Sequence, residues 1–450
     1  MIAEHRPAPA PHWAKDLVIY ELNPRGFTSP KGAGDGSGSG TFQSLRQKLP
    51  YLRDLGINAI WLAGHSQATS HFYGIWSAYA ADRPDRIEPA LGTPVDLKEL
   101  IRAAHSHDIR IFLDVISHGV LADSSLVQEH PAWFRGSSWD MADYYYQHPE
   151  FRRWWVDLWM SYALDYDVDG FRIDMALGDS TLWDEITSRL REAGKEIVVF
   201  AEAERYHFSQ QDTFDFSTDQ YLNVDLRHSS GHEPGLYTMQ ISSHDRGWEA
   251  LPGNHYVIRA SRAKLGYGAL LSPHIPVMFS GEEFDAIPVP LPNLKQGLFG
   301  TGGPGGWLYG NQLQWSQLDQ PSNTAMVEDA AAMLRVRHEN SHLLNGDSGA
   351  ALITRVPGNG ASSLVPFARY QPGEDAIIVL GNDTSSAITY RLSPPLEKFG
   401  YQHARKLRLT DLMSGKSKRV EIDEIDRVPI RIRPEHAASG GIRVFRLKPD

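Results

Sequence analysis

The chain has 450 residues, 41% of them hydrophobic and 22% charged, and its 44 basic and 55 acidic side chains give a formal net charge of −11. These proportions are ordinary for a globular protein and exclude a disordered or fibrous chain. Because the chain is acidic and has no basic clusters, we expect neither nucleic acid nor an anionic membrane as a partner. The absence of cysteine excludes disulfides, thiolate nucleophiles and zinc–thiolate sites.

The N-terminal residues lack the basic and then apolar pattern of a secretory signal, and no apolar run approaches the ~18 residues that span a bilayer. A cytoplasmic location is therefore expected, although secretion stays open if a signal has been removed.

Short apolar runs alternate with longer amphipathic segments through the first three quarters of the chain. The alternation of strands and helices predicts an α/β protein with a parallel sheet, since parallel neighbours need a crossover connection. Eight strands fit a closed (β/α)8 TIM barrel, and an open doubly wound sheet is the competing architecture. One helical segment is predicted to end at Gly56. The predicted strands are 17–22, 59–63, 110–115, 170–175, 197–201, 220–224, 239–243 and 276–279.

The pattern changes near residue 345, after which short strands are separated by Gly, Pro, Asn and Asp. We predict a catalytic barrel at 1–345, with a short loop excursion after the third strand at about 119–150. A C-terminal antiparallel β-sandwich is predicted at 346–450. Its predicted strands are 351–356, 364–370, 376–380, 387–392, 405–409 and 442–447.

Carboxylates stand at the ends of three predicted barrel strands, where the chemistry of such barrels lies. Arg172 and Asp174 are two residues apart and so lie on one side of the fourth strand. Glu202 follows the apolar fifth strand, and Asp245 follows the seventh, directly after His244. One such acid could form an ion pair or cap a helix, but three together indicate a catalytic site.

Cleavage of a glycosidic bond needs this kind of set. One carboxylic acid protonates the leaving oxygen and a second carboxylate captures the oxocarbenium-like carbon. Asp174 suits the nucleophile, because Arg172 would keep it ionised, and Glu202 suits the acid/base, because apolar surroundings and neighbouring carboxylates raise a pKa. Asp245 would bind sugar hydroxyls, and the histidines His118 and His244 would donate hydrogen bonds to the same sugar.

The motifs around these residues resemble those of the alpha-amylase family of retaining glycoside hydrolases. The match runs in order through 114–118, 170–174, 201–203 and 243–245, with support at 51–62, 91–98 and 275–283, and so covers most of the chain. The resemblance implies that Asp174 is the nucleophile, Glu202 the acid/base and Asp245 the third essential carboxylate. The same resemblance makes four further residues sugar-binding: Arg172, His118, His244 and Asp114.

The chain departs from the family at two motifs. Ser117 stands where the family has an asparagine that often ligates calcium, so the usual ligand pattern is incomplete, and we predict no metal and no cofactor. In the segment Tyr-Gly-Ile-Trp at 73–76, Ile75 stands where the family has the tyrosine that normally stacks under the sugar. Tyr73 and Trp76 are the predicted substitutes, with Tyr79 as a third candidate. Core packing is the alternative for each.

Two further groups have open interpretations. The aromatic residues of the excursion either stack on sugar or fill the core; they are Trp133, Trp139 and the tyrosines 144–146. Glu282 and Glu283, after the last strand, either bind sugar or cap a helix, and capping is favoured.

The predicted activity is retaining hydrolysis of α-glucosidic bonds in α-glucans or malto-oligosaccharides, through a covalent glycosyl-enzyme intermediate. The partner is therefore an oligosaccharide or polysaccharide substrate. A transglycosylase or a disaccharide-converting enzyme of trehalose or sucrose type is the nearest alternative. A non-catalytic sugar-binding relative would be expected to lack one of the three acids, and a metal-dependent hydrolase would need more histidines at the strand ends.

Overall fold

The computed structural model describes residues 8–29, 38–175, 179–202, 206–209, 236–244, 261–271, 274–287, 289–295, 308–345 and 351–450. Eight parallel strands close into a barrel, as predicted. In chain order they are β1 (Ile19–Leu22), β2 (Ala59–Leu62), β3 (Arg110–Ile116), β4 (Gly170–Asp174), β5 (Val198–Ala201), β6 (Phe208–Ser209), β7 (Leu236–Gln240) and β8 (His274–Phe279).

The sixth barrel strand lies at a position where the sequence predicted none. The two-residue strand β6 pairs with β5 on one side and β7 on the other. The predicted strand at 220–224 lies outside the described residues. Two residues are too few to show an apolar pattern, so the sequence could not identify this strand.

Large side chains from β2, β3 and β5 fill the barrel interior. Trp61, Phe112 and Phe200 meet there, with ring centroids 5.8 Å apart for Trp61–Phe200 and 5.9 Å for Phe112–Phe200. Trp13, in the 3-10 helix His12–Asp16, stacks on Phe112 at the N-terminal end of the strands. This packing leaves the C-terminal end of the barrel as the open end.

Helices surround the barrel, and their ends follow the sequence. Thr41 and Thr93 each form a capping box with the residue three positions later. Gly56 ends one helix with a φ of +104°, as predicted for a glycine after a helical segment. The helices are Pro24–Phe27, Phe42–Arg46, Leu49–Leu55, Pro94–His105, Ser125–Glu129, Pro149–Asp165, Ser180–Glu192, Ser261–Leu270, Pro321–Glu339 and Ser341–Leu344. No helix within the described residues is long and apolar enough to cross a membrane.

Two small sheets lie at the open end of the barrel. A hairpin of Ser66–Thr69 and Ser77–Ile87 follows β2. The excursion after β3 is a three-stranded antiparallel sheet of Gly119–Leu121, Met141–Tyr144 and Phe134–Ser138. It is therefore short, as expected.

The C-terminal part is an antiparallel β-domain. A six-stranded sheet contains Leu352–Arg355, Phe367–Tyr370, Ala376–Gly381, Ile442–Pro449, Lys406–Asp411 and Ser417–Glu421, in that spatial order. One face joins the apolar core of the barrel helices, and the other packs with the two-stranded sheet of Ile388–Arg391 and Pro429–Ile432. The sequence missed Ser417–Glu421 and Pro429–Ile432, because charged residues and a proline interrupt their apolar pattern. The predicted limits 1–345 and 346–450 stay a prediction.

We predict that Gly170→Ala destabilises the barrel, because a Cβ at Gly170 would lie 2.0 Å from the backbone oxygen of Val198 on the neighbouring strand. Overpacking of this kind costs about 1–3 kcal/mol or more. Gly194→Ala is the control, since its φ of +82° disfavours alanine but the added methyl meets nothing within 4 Å. Thermal melting should show the larger fall for Gly170→Ala, and an equal fall in the two variants would contradict this packing.

Candidate functional site

A buried guanidinium lies at the centre of the candidate site. Arg172 has no exposed side-chain surface, and its Nη1 binds Asp174 Oδ1 at 2.7 Å and Asp114 Oδ1 at 3.2 Å. Its Nη2 binds Glu202 Oε1. Three successive strands, β3, β4 and β5, thus each place one carboxylate against the same cation.

The strand register brings these groups together. Asp114 is the register partner of Arg172 across β3 and β4, and Ala201 of β5 is the partner of Ile173 of β4. One residue further along, Glu202 stands beside Asp174, and neighbouring strands lie about 5 Å apart. The structure therefore places the two predicted catalytic carboxylates side by side at the open end of the barrel.

A backbone turn strengthens the contact between these two strand ends. Met175 has a φ of +53°, which is uncommon for a residue with a side chain, and its N–H donates to Glu202 Oε2 at 2.8 Å. No pattern in the sequence predicts this turn. The Glu202 side chain is 31% exposed whereas that of Asp174 is 8% exposed, so the glutamate faces the open side.

The charges around Arg172 shift the pKa values of the two aspartates in opposite directions. Burial would raise the pKa of Asp174, but the adjacent His118 ring and the charge of Arg172 outweigh burial and hold the pKa below its ordinary value. Burial raises the pKa of Asp114 to about 6, against the opposing charge of Arg172. Asp174 is therefore ionised at neutral pH.

The two predicted histidines lie on either side of this carboxylate group. His118 Nδ1 lies 3.5 Å from Asp174 Oδ2, and its Nε2 lies 3.0 Å from the sulfur of Met141 in the excursion. His244 is buried, and its Nε2 lies 2.8 Å from the hydroxyl of Tyr79. Asp245, the third predicted carboxylate, lies outside the described residues.

Among the three candidate sugar platforms, Tyr79 is the one in contact with the site. Its ring stacks on His244 with centroids 5.2 Å apart, and its hydroxyl lies 3.1 Å from Asp114 Oδ2. Tyr73 is buried, and the indole N–H of Trp76 donates to Glu88 at 3.0 Å. The sugar-binding roles of Tyr73 and Trp76 stay a prediction.

The excursion contributes one exposed aromatic ring. Trp139 is 58% exposed, and its ring meets His118 edge-on, with centroids 5.9 Å apart. Trp133, Tyr144 and Tyr146 are buried. The burial of these three favours core packing, whereas Trp139 remains available to a ligand.

The glutamates after β8 bind neighbouring strand ends, and Glu283 also accepts a hydrogen bond at 3.0 Å from the N–H of Gly281, directly before the 3-10 helix Glu282–Phe284. Glu282 accepts hydrogen bonds from the N–H groups of Ser242 at 2.9 Å and Phe279 at 3.1 Å. Burial raises its pKa to about 8. Glu283 accepts from the hydroxyls of Tyr20 and Tyr51. Both side chains therefore join strand ends around the rim.

Ser117 lies at the position where the resemblance implies a calcium-ligating asparagine. The hydroxyl of Ser117 donates to the backbone oxygen of Asp174 at 2.5 Å, so a direct hydrogen bond joins the ends of β3 and β4. No group of three or more metal-ligating side chains that could hold an ion occurs within the part of the chain that the structure describes.

We predict that Arg172→Leu destabilises the protein by about 3–5 kcal/mol, because it leaves buried carboxylates without their cation. The loss should be larger at pH 7.5 than at pH 5, since protonation of Asp114 and Asp174 removes the uncompensated charge. Melting temperatures at the two pH values measure this effect.

The matched control is Arg189→Leu, because Arg189 is 40% exposed and exposed ion pairs contribute about 0–1 kcal/mol. An equal loss for Arg172→Leu at both pH values would show that the guanidinium acts through packing alone.

Comparison with known proteins agrees with this architecture. The sequence model of the alpha-amylase catalytic domain matches residues 23–123. The alpha-amylase MalA of Haloarcula japonica is 26% identical over 427 residues, which cover 84% of this chain and 57% of that protein. The intracellular maltogenic amylase of Bacillus subtilis is 27% identical over 207 residues, covering 37% of this chain and 34% of that protein.

The fold has a close structural counterpart. The crystal structure of the maltogenic alpha-amylase AmyB from Thermotoga neapolitana has a TM-score of 0.70 and 17% identity, and the alignment covers 97% of this chain and 99% of that one. The matched part of this chain spans about half or less of the two relatives compared by sequence. The barrel and the terminal β-domain thus have the fold of this structure, and residues 23–123 are similar to the alpha-amylase catalytic domain.

Proposed function

We propose that this chain is a glycoside hydrolase that cleaves α-glucosidic bonds in α-glucans or malto-oligosaccharides with retention of configuration. The observation that carries the proposal is that Asp174 and Glu202, at the ends of adjacent strands, bind the two terminal nitrogens of one buried arginine. Retaining enzymes have their two carboxyl groups about 5–5.5 Å apart, whereas inverting enzymes need room for a water between them.

In the first step Asp174 attacks the anomeric carbon while Glu202 gives its proton to the glycosidic oxygen. The bond to the leaving sugar breaks as the bond to Asp174 forms. The lowered pKa of Asp174 supports this role, since the nucleophile must be ionised. The greater exposure of Glu202 supports its role as the acid, which must reach the leaving group and later a water.

In the second step Glu202 takes a proton from water, and the resulting hydroxyl displaces Asp174 from the sugar. The carboxylate pair then returns to its starting protonation states. His118, His244, Asp114 and Arg172 would line the cleaved glucose, with Asp245 as the third carboxylate.

The names of the relatives support an α-glucan substrate, since both are amylases. A transglycosylase or a disaccharide-converting enzyme remains the second candidate, because a sugar hydroxyl could replace water in the second step. Product analysis with starch, maltotriose, isomaltose, trehalose and sucrose separates these activities. The name of the Bacillus subtilis relative supports an intracellular location.

We predict that Asp174→Asn and Glu202→Gln each lower turnover of malto-oligosaccharides at least about 10³-fold, because each removes a group that forms or breaks a bond. An aryl α-glucoside with a good leaving group should recover part of the first step in Glu202→Gln but not in Asp174→Asn. Asp54→Asn is the control, since Asp54 is 68% exposed and distant from Arg172. Wild-type turnover in Asp174→Asn would refute its role.

We also propose that the chain needs no calcium, because the Ser117 hydrogen bond joins the two strand ends directly. EDTA should leave the melting temperature unchanged, with EDTA that has been saturated with calcium as the control. A fall of several degrees that added CaCl₂ reverses would show a calcium site and overturn this proposal.

A further inference from the structure

A buried glutamate on the first barrel strand has no part in the two proposed steps. Glu21 has no exposed surface, and its Oε1 lies within hydrogen-bond distance of His244 Nδ1. The other oxygen accepts from Gln240 Nε2 at 2.8 Å. The carboxylate therefore fixes both the orientation of the His244 ring and the presence of a proton on Nδ1.

A chain of hydrogen bonds leads from Glu21 to the catalytic carboxylates. His244 Nε2 lies 2.8 Å from the Tyr79 hydroxyl, which lies 3.1 Å from Asp114 Oδ2. Asp114 in turn binds the guanidinium of Arg172, which also binds Asp174. All members of the chain are buried.

The hydroxyl of Tyr79 limits the proton arrangements, because it carries one proton and contacts an acceptor or donor on each side. If Tyr79 donates to Asp114, His244 Nε2 must carry a proton to donate to Tyr79, and the ring is an imidazolium. If Tyr79 donates to Nε2, Asp114 must carry the proton to donate to Tyr79. In both arrangements, every contact is a hydrogen bond only if His244 and Asp114 together hold one proton in addition to the proton on Nδ1.

We propose that Glu21 is a positioning residue that holds this extra proton on the His244–Tyr79–Asp114 chain beside the nucleophile. The effect of this proton on catalysis rests on the proposed function. The number of protons that the hydrogen-bond chain holds does not. A carboxylate at Nδ1 favours the protonated ring. Within the described residues, the charged and titratable groups that lie against this hydrogen-bond chain are Glu21, Tyr309, Arg172 and Asp174, with Trp61 and Gln240 as uncharged neighbours.

The proton offsets part of the negative charge that gathers at this end of the barrel. Asp114, Asp174 and Glu202 bind a single guanidinium, and Glu21 adds a fourth carboxylate beside His244. With the extra proton in place, Asp114 competes less for Arg172, which remains available to Asp174 and Glu202. The raised pKa of Asp114, about 6 as a result of burial, agrees with shared possession of that proton.

Glu21→Gln tests the proposal, because the amide keeps the acceptor for Nδ1 and removes the charge. The Gln240 amide can turn to accept from the new NH₂ group. We expect NMR of protein labelled with ¹⁵N at histidine, assigned with a His244→Gln variant, to show that the His244 ring loses its proton at a pH at least about 1 unit lower in Glu21→Gln.

Glu283→Gln is the matched control, since Glu283 is equally buried at the same end of the barrel but bonds to Tyr20 and Tyr51. It should leave the His244 titration unchanged. The same midpoint for His244 in wild type and Glu21→Gln would overturn the proposal whether or not the enzyme is active.

A second variant keeps the proposal testable if Glu21→Gln does not fold. Tyr79→Phe removes the hydroxyl that joins His244 to Asp114, so the two groups should titrate independently and the His244 midpoint should again fall. In activity assays, both variants should shift one of the two apparent pKa values in the pH profile of kcat. A purely structural role for Glu21 would leave both values unchanged. An unmoved midpoint in Tyr79→Phe would exclude a shared proton.

Discussion

Burial of one guanidinium is the constraint on which the active end of this barrel depends. An arginine without water must be neutralised, and the three strands around Arg172 supply Asp114, Asp174 and Glu202. Trp61 of the barrel interior lies against the guanidinium, whose central carbon is 4.8 Å from the ring centroid. The packed core thus holds the cation in place, and the cation sets the spacing and the charge of the carboxylates for which we propose the catalytic roles.

Buried acids hold the rim of the barrel in the same way. Glu282 joins the ends of β7 and β8, Glu283 joins β8 to Tyr20 of β1, and Glu21 joins β1 to His244 after β7. Each carboxylate bonds to residues of another strand end, so the strands that close the barrel are tied by side chains as well as by backbone ladders. Such cross-strand bonds limit the displacement of the reacting groups, whose positions must be accurate for catalysis.

The sequence predicted the barrel and the position of most site residues because their signals are local. Asp174 and Glu202 each end an apolar run, and an acidic residue in that place can be recognised from the sequence alone. Glu21 lies inside a run of apolar residues, and its partners Gln240 and His244 are 219 and 223 residues away. The hydroxyl of Tyr79 likewise meets His244 across 165 residues. Only the closed barrel brings such pairs together, so no pattern within one segment could have identified them.

The central claim is that two carboxylates side by side on one arginine act by double displacement. The most direct test is proton NMR of the sugar released from an α-linked substrate in the first minutes, before the anomers equilibrate. Retention requires that the α-anomer appear first and convert slowly to the mixture. Initial release of the β-anomer would require a water between the carboxyl groups, and it would contradict the geometry described for Asp174 and Glu202.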